Sequence, residues 1–470
     1  MDALEIKEIF DRLRSQLNRQ VVECDAVDSW MRPELARGFD LPLRASREHR
    51  SLADLSRTPW LRLVVDNVVQ AMYVDSVVDS EGKNDALWRL WMSNGMQSLQ
   101  VSNHRAMIAY GHSYGLVTRA VSRGKPTSRI RFLSPRVMSV EYADVGIDAM
   151  PSAALEALAD KRFVLRVPGV EYELVAGEAL TGDAEMAGLR IVRETRTNLD
   201  FVPVVRFANQ LDLDGRVVGE VEPFIPTARR INKTSYDRLL AQHFNSWKVK
   251  TATGLELPSV SDEFGDPTDQ VDQAAAERMK TKLAQDDILI AESPDTRFGT
   301  LDATALDPFV NSWRSDIEAL AAVSQTPAHA LTGQMVNLSA EALAAARAPL
   351  TQKVYERQMN AGASYARVLR IAALMAGLQE LADDDLVRVT WQDMEIRSMS
   401  QAVDALGKAA QMLNVPARAL WRMIPGVEAA DVQDWERMAD EADERDPLMA
   451  SFKRQAESTI AAVDSGVTGG

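Results

Sequence analysis

Gly111-His112-Ser113-Tyr114-Gly115 is the stretch of this sequence whose spacing matches a catalytic motif. G-x-S-x-G is the strained elbow that presents a nucleophilic serine in α/β-hydrolases, and it needs a strand before it and a helix after it. Here the order is reversed. A helical pattern, HRAMIAY, precedes the motif, and a β-branched run, LVTRAV, follows it. No later alternation of strands and helices supplies a doubly wound sheet. Gly111 reads instead as a helix-ending glycine before a turn into a strand. A serine hydrolase using Ser113 stands as the enzymatic alternative.

Other chemistry has less to stand on. The phosphate-cradling pattern G-x-x-x-x-G-K-[ST] is absent: Pro126 follows Gly124-Lys125, and Arg119 occupies the position five before Gly124. No Cys/His set has zinc spacing, and no H-E-x-x-H occurs. The histidines (His49, His104, His112, His243, His329) are scattered. Asp383-Asp384-Asp385 suggests either a metal site or a solvated turn between a helix and a strand, and the turn is the expected reading. Asn337-Leu338-Ser339 would accept a glycan only in a secreted protein. The lone cysteine, Cys24, cannot staple the fold and reads as a small hydrophobe in a reducing compartment. No catalytic residue, cofactor or metal is therefore expected.

The elements that must position these residues follow from periodicity. Residues 1–23 read as an amphipathic helix, with neither the basic start nor the apolar run of a secretory signal. Residues 24–60 read as irregular, punctuated by Pro33, Gly38, Pro42 and Pro59. A helical pattern runs from Trp60 to about Ala120. Short β-branched runs then extend to Phe207, with a short helix expected at PSAALEALAD. A hairpin centred on Asp214-Gly215 follows. A helix from Pro226 to Lys248 and another from Asp307 enclose a small mixed segment containing a strand-like DILIAES. Asp307 is placed to cap the second helix, with Pro308 at its first position. Phe309, Trp313, Ile317 and Leu320 form one stripe on it. After the loop AHALTGQMVNL, Ser339 caps a helical pattern to about Gly377, some 58 Å long at about 1.5 Å per residue. Pro349 is expected to kink or divide it. A strand, LVRVTWQDM, and three helical stretches complete the chain.

With 470 residues, 46% hydrophobic and 26% charged, the chain is globular and large enough for several structural units. No apolar run is long enough to cross a membrane, so no membrane partner is expected. The net charge of −15 lacks the overall basic balance of a protein that grips DNA. The helical pattern over 428–446 has nine carboxylates against two arginines. It reads as a solvated face, or as a surface that repels DNA or docks a basic partner.

The ordered set of segments carries a resemblance. Trp313 to Val323, then SQTPAHALTGQMVNLSAEALAAARAPLTQKVYERQMNAGASYARVLRIAALMAG, is similar to the portal proteins of long-tailed double-stranded DNA phages, particularly those of actinobacterial hosts. These read helix, T-x-x-P, short glycine loop, N-x-S-x-E-A-L, long helix. EPFIPTARRINKTSYDRLLAQHF resembles the descending stem helix, TPWLRLVVDNVVQAMYVDSV the early wing helix, and AYGHSYGLVTRA the turn into the wing sheet. The resemblance spans nearly the whole chain in order, but none of its motifs is catalytic.

The resemblance implies an α+β, multi-domain chain of portal architecture: an α/β wing, a helical stem, a small α/β clip and a helical crown. An N-terminal helix (1–23) precedes the wing (24–225 and 339–397). The stem helices are 226–249 and 306–326, the clip is 250–305, the tunnel loop is 327–338, and the crown and tail are 398–470. It implies a ring of twelve subunits at one capsid vertex, assembled in the host cytoplasm, that double-stranded DNA passes through in packaging and ejection. The partners it implies are the terminase large subunit, the head–tail connector, the major capsid protein and the scaffolding protein. Gly333, Gln334, Met335, Val336 and Asn337 would face DNA, touching it by shape because the loop is uncharged. Phe244, Trp247, Phe309, Trp313 and Ile317 would pack between subunits, although a helical hairpin within the chain would bury one stripe equally well. The negative charge would let DNA slide. Another oligomeric virion assembly protein is the non-enzymatic alternative.

Overall fold

The computed structural model describes residues 2–32, 34, 41, 45–82, 84–144, 150–177, 188–246, 250–253, 259–261, 267–271, 297–300, 303–333, 340–392, 399–424, 427 and 429–445. Helix α1 (Ala3–Met31) is capped by Asp2, whose carboxylate accepts the Glu5 backbone N–H at 2.7 Å. Its stripe of Ile6, Phe10 and Leu13 lies against a sheet, and Val27, Trp30 and Met31 reach the main core. That second set of partners carries the helix past the expected end at residue 23. Helix α2 (Arg47–Ser56) also occupies a stretch expected to be irregular, and its cap, Ser46, accepts from His49.

Helix α3 (Trp60–Val69) is buried on most of its surface, as Trp60, Leu61, Val64, Val65, Val68 and Val69 require. Strand β1 (Val74–Val78), α4 (Asp85–Ser93) and α5 (Met96–Tyr110) follow. Gly111, with φ 90°, ends α5 as expected and turns the chain into β2 (His112–Ser122). β3 (Lys125–Leu133), β4 (Met138–Glu141), β5 (Ala153–Ala157), β6 (Arg162–Val167), β7 (Val170–Ala176), β8 (Leu189–Arg196) and β9 (Val204–Ala208) complete two antiparallel sheets, ordered β3-β2-β9 and β4-β5-β6-β7-β8.

Strand β5 stands where a helix was expected. Ala, Leu and Glu favour helices in isolation, but tertiary partners override so weak a preference. Ala154 and Leu155 are fully buried between β4 and β6, and the Glu156 carboxylate is held by Arg131 and Arg166.

A short hairpin, β10 (Gln210–Leu211) and β11 (Val217–Val218), leads to α6 (Ile225–Ser246). Strands β12 (Lys250–Thr253) and β15 (Arg297–Thr300) pair with each other, as do β13 (Ser259–Ser261) and β14 (Pro267–Val271). The strand expected at DILIAES lies outside the described residues. Helix α7 (Asp307–Val323) has Leu306 as its N-cap, with no side-chain cap bond, so Asp307 acts only as a first-turn acid. Helix α8 (Ala328–Thr332) turns part of the expected loop into a helical turn. Helix α9 (Ala340–Ala376) passes Pro349 as one element; Ser339, its expected cap, lies outside the described residues. Packing of its second half outweighs the lost hydrogen bond, because Ala361, Tyr365, Val368, Leu369 and Ala372 are fully buried. α10 (Gln379–Asp383), β16 (Arg388–Trp391), α11 (Met399–Leu413), α12 (Ala417–Leu420) and α13 (Ala429–Arg445) finish the chain, with β16 returning to pair with β1.

Tyr365 sits at the centre of the main core. Its ring lies 4.8 Å from Phe207, 5.2 Å from Trp91, 5.7 Å from His104, 6.1 Å from Phe132 and 6.3 Å from Trp391. Its hydroxyl is 2.9 Å from His104 Nε2 and accepts from Asn103 Nδ2 at 3.4 Å. Burial holds the His104 imidazole down to about 4, and burial with the Arg206 charge does the same to His112. Both take up a proton in the unfolded chain from about pH 6.5 downward, but in the folded chain only near pH 4. Stability therefore falls from about pH 6.5 to about 4 and then levels, by up to about 3 kcal/mol for each histidine. His104→Gln is expected to give a shallower acid limb in thermal midpoint against pH. The same limb in both proteins would refute this account.

Candidate functional site

Ser113 is not presented for catalysis. Its Oγ donates to Asn103 Oδ1 at 2.6 Å, and the residue is 1% exposed. The adjacent His112 bonds through Nε2 to Gln20 at 2.9 Å rather than to Ser113. The Asp383-Asp384-Asp385 triplet is the expected turn. Asp384 accepts from the backbone of Ser80 and Leu386, which holds its carboxyl below the usual value. Asp383 accepts from Gln379, and Asp385 pairs with Arg370. Among the described residues no group of His, Cys, Asp and Glu is placed to hold a metal. Cys24 is buried, and burial pushes its thiol up to about 12.

The two helices around the small insert form an antiparallel pair. Arg230 Nε donates to Asp316 Oδ1 at 2.7 Å and Thr234 to Asp316 Oδ2 at 3.2 Å. Further along, Arg238 stacks on Trp313 at 5.9 Å. Near the insert, Asn245 and Thr304 exchange two hydrogen bonds, at 2.8 and 3.0 Å. Each helix is thus bolted to the other at intervals by polar contacts, and the β12–β15 pair joins the chain just beyond.

Of the stripe expected between subunits, Ile317 and part of Trp313 have partners within the chain. Ile317 is fully buried, and Trp313 packs edge-on against Trp60 at 5.9 Å. Ile317 thus spends its apolar surface on the core, while Trp313 remains partly exposed. Phe309 is half-buried. Phe244 is 53% exposed, with the rings of His49 and His243 beside it. Trp247 lies outside the described residues, as do Gln334, Met335, Val336 and Asn337. Gly333, at φ 67°, is the left-handed cap that ends α8 and aims the chain into that segment.

The root of the helix pair contains a group that periodicity did not reveal. Lys353 Nζ donates to Glu220 Oε2 at 2.9 Å and to the Ser324 carbonyl at 2.7 Å. Arg357 Nη2 donates to Glu220 Oε1 at 2.8 Å, and all three charged residues are buried. Asn209 adds a bond to Glu220 Oε1 at 3.4 Å. Glu220 lies just before α6, Ser324 caps the end of α7, and both cations come from α9. Burial would raise the Glu220 carboxyl, but Lys353 and Arg357 outweigh it and hold it below its ordinary value. Burial, helped by Arg357, lowers Lys353. The signal was present in the sequence: Lys353 and Arg357 are i, i+4 on the face that also carries Ala361 and Tyr365, so buried cations there required an anion. Its identity was not readable, because Glu220 is more than 130 residues away.

Glycine brings that anion in. A Cβ on Gly219 would lie 2.4 Å from the Ala109 carbonyl oxygen and 2.8 Å from the Gly111 nitrogen. The Glu220 N–H donates to the Ile108 carbonyl at 2.8 Å, fixing the crossing.

The family model described as "Phage portal protein, SPP1 Gp6-like" matches residues 35–447. No curated protein matches. Among solved structures, a chain of one described as the neck of an empty GTA particle computed with C6 symmetry is similar at 11% identity, with a TM-score of 0.41. That similarity covers 81% of this chain and 96% of the other.

The charge balance at the root makes substitutions unequal. Glu220→Gln leaves buried Lys353 without its anion and Arg357 with the exposed Glu356 as its partner, and is expected to cost about 3–5 kcal/mol. Lys353→Met leaves the Glu220–Arg357 pair neutral and is expected to cost roughly 1–2 kcal/mol. Denaturant unfolding of both variants checks the order, and a costlier Lys353→Met would show that the charge balance is misread.

Proposed function

This chain belongs to the SPP1 Gp6-like phage portal family, and from that we propose a subunit that closes into a ring of twelve at one capsid vertex, with a central passage for double-stranded DNA in packaging and ejection. It is a structural component of the virion, not an enzyme. The observation that carries the ring reading is the bolted pair α6 and α7, rooted in a buried charge cluster and separated at the other end by a small insert. Such a stalk joins its insert at the end opposite the charge cluster, as a ring with a protruding collar requires.

In this reading α6 and α7 are the stem, 250–305 is the clip, and the mixed body including α9 is the wing. The helices from α11 onward are the crown. The clip docks the terminase large subunit and the head–tail connector, and the wing meets the capsid and scaffolding proteins. Phe244, Phe309 and Trp313, which keep exposed surface, are the stem residues that pack between subunits; Ile317 is buried within the chain. Gly333 to Asn337 form the tunnel loop.

Two measurements test this. Negative-stain microscopy with light scattering is expected to show holed rings of about 620 kDa, twelve times the 51.9 kDa chain. A compact dimer with no channel would overturn the ring. For the loop, shortening Gln334–Asn337 is expected to leave rings intact while packaging fails in a reconstituted reaction. Normal packaging would remove the loop from the mechanism.

A further inference from the structure

The net charge of −15 conceals a segment of opposite sign. From Ala86 to Val140 the sequence contains no Asp or Glu, although 68 of 470 residues are acidic and about eight would fall in such a stretch by composition. The same segment holds eight cations: Arg89, Arg105, Arg119, Arg123, Lys125, Arg129, Arg131 and Arg136. The fold divides them. Arg105 pairs with Asp66, Arg131 with Glu156, and Arg136 with Asp25 and Asp28. Arg119, Arg123, Lys125 and Arg129 are exposed and have no ion-pair partner among the described residues.

These four share one projection. β2 pairs with β9 only over His112–Leu116, while its pairing with β3 continues to Ser122–Lys125. The distal part of the hairpin is therefore a two-stranded ribbon beyond the sheet. Opposed pairs point to one face, so Ser122 and Lys125, Ala120 and Thr127, and Thr118 and Arg129 line one side. Lys125 and Arg129 stand about 13 Å apart along the strand, with Thr127 between them. Arg119 lies on the other side and Arg123 at the tip.

The tip is built at a cost. Arg123 and Gly124 both have positive φ, 51° and 76°. A two-residue turn of this kind prefers Asn-Gly or Asp-Gly, and a long unbranched cation at the first position is disfavoured. Strain retained at an exposed tip points to use of the side chain.

We infer that the β2–β3 hairpin is a contact for the phosphate backbone of double-stranded DNA, through Arg119, Arg123, Lys125 and Arg129. The choice of DNA rests on the portal reading; the choice of a polyanion rests on the hairpin. Protein interfaces are anchored by buried aromatic or aliphatic residues, and the distal ribbon offers only Val121 as a large exposed apolar side chain. Cations with interspersed hydroxyls suit phosphates, which need charge and donors but no apolar pocket. Such contacts are independent of base sequence and weaken with salt through counterion release.

The test is fluorescence anisotropy of a short random-sequence duplex with the full chain across a salt series, with light scattering to follow assembly. The variant combining Arg119→Gln, Arg123→Asn, Lys125→Gln and Arg129→Gln is expected to bind at least about tenfold more weakly at 0.1 M salt. Its slope of log affinity against log salt should shrink by roughly 3.6, about 0.9 for each phosphate no longer neutralised. Arg123→Asn alone should reduce the slope by about 0.9 while the thermal midpoint stays level or rises, because Asn suits the turn. An unchanged slope in the fourfold variant overturns the inference, as does the absence of duplex binding by the parent chain at low salt. Polyglutamate displacing DNA as well as unlabelled duplex does so too, and would assign the hairpin to an acidic protein. Rings that form without this DNA contact overturn only the hairpin; a chain that binds DNA through the hairpin but forms a closed dimer overturns the portal reading instead.

Discussion

The molecule is organised around one buried carboxylate held by two buried cations. Glu220, Lys353 and Arg357 link three distant parts of the chain: the entry of α6, the end of α7 through the Ser324 carbonyl, and the middle of α9. Buried ion pairs are poor sources of stability, since the cost of desolvation offsets most of their attraction. Their value lies in geometry. A displacement that left any of these charges without its partner would cost several kcal/mol, so few arrangements of the helix roots are tolerated. An apolar junction would permit sliding; this one sets a register. The glycine at 219 is a consequence, because the anion reaches the site only where the backbone passes within van der Waals distance of Ala109 and Gly111.

The same helix that supplies the cations supplies the core. One turn beyond Arg357, Ala361 begins the buried face that includes Tyr365 and continues through Val368, Leu369 and Ala372. Charge registry and apolar packing thus lie on a single rigid element, which passes Pro349 because its C-terminal half is immobilised. The polar chain from Ser113 through Asn103 and Tyr365 to His104 gives that core directional contacts, which discriminate among packings that apolar side chains alone would leave close in energy.

Much of this was legible in the sequence where local signals were strong. The helical patterns of α6, α7 and α9, the glycine ending α5 and the hairpin after β9 all follow from spacing and turn chemistry. What escaped was decided at long range. β5 has helix-forming residues, yet burial between two strands and the pairing of Glu156 with Arg131 and Arg166 made it a strand. Helix α1 outran its expected end because Trp30 and Met31 meet a second core. The apolar character of the stem stripe follows from spacing, but periodicity cannot say whose surface meets it, and Trp60 within the same chain meets part of Trp313. Lys353 and Arg357 carried a readable warning of an unseen anion; only the fold could name Glu220.

Net charge behaved in the same way. A whole-chain sum of −15 describes how the protein repels a polyanion at distances beyond the Debye length, where about 10 Å of salt solution already screens most of the field. At contact, what matters is the local set of unpaired charges. The acid-free stretch from Ala86 to Val140 loses three of its eight cations to internal ion pairs and keeps four on a ribbon that leaves the sheet. Acidic α13 lies in another part of the chain and ties some of its own charges to Arg418 and Arg437. A subunit of this kind is acidic in total and basic at one edge. In a closed ring each such edge would recur once per subunit, giving a band of cations on an otherwise repelling surface. Repulsion over most of a surface with attraction confined to one band lets DNA be held in position without being gripped along its length.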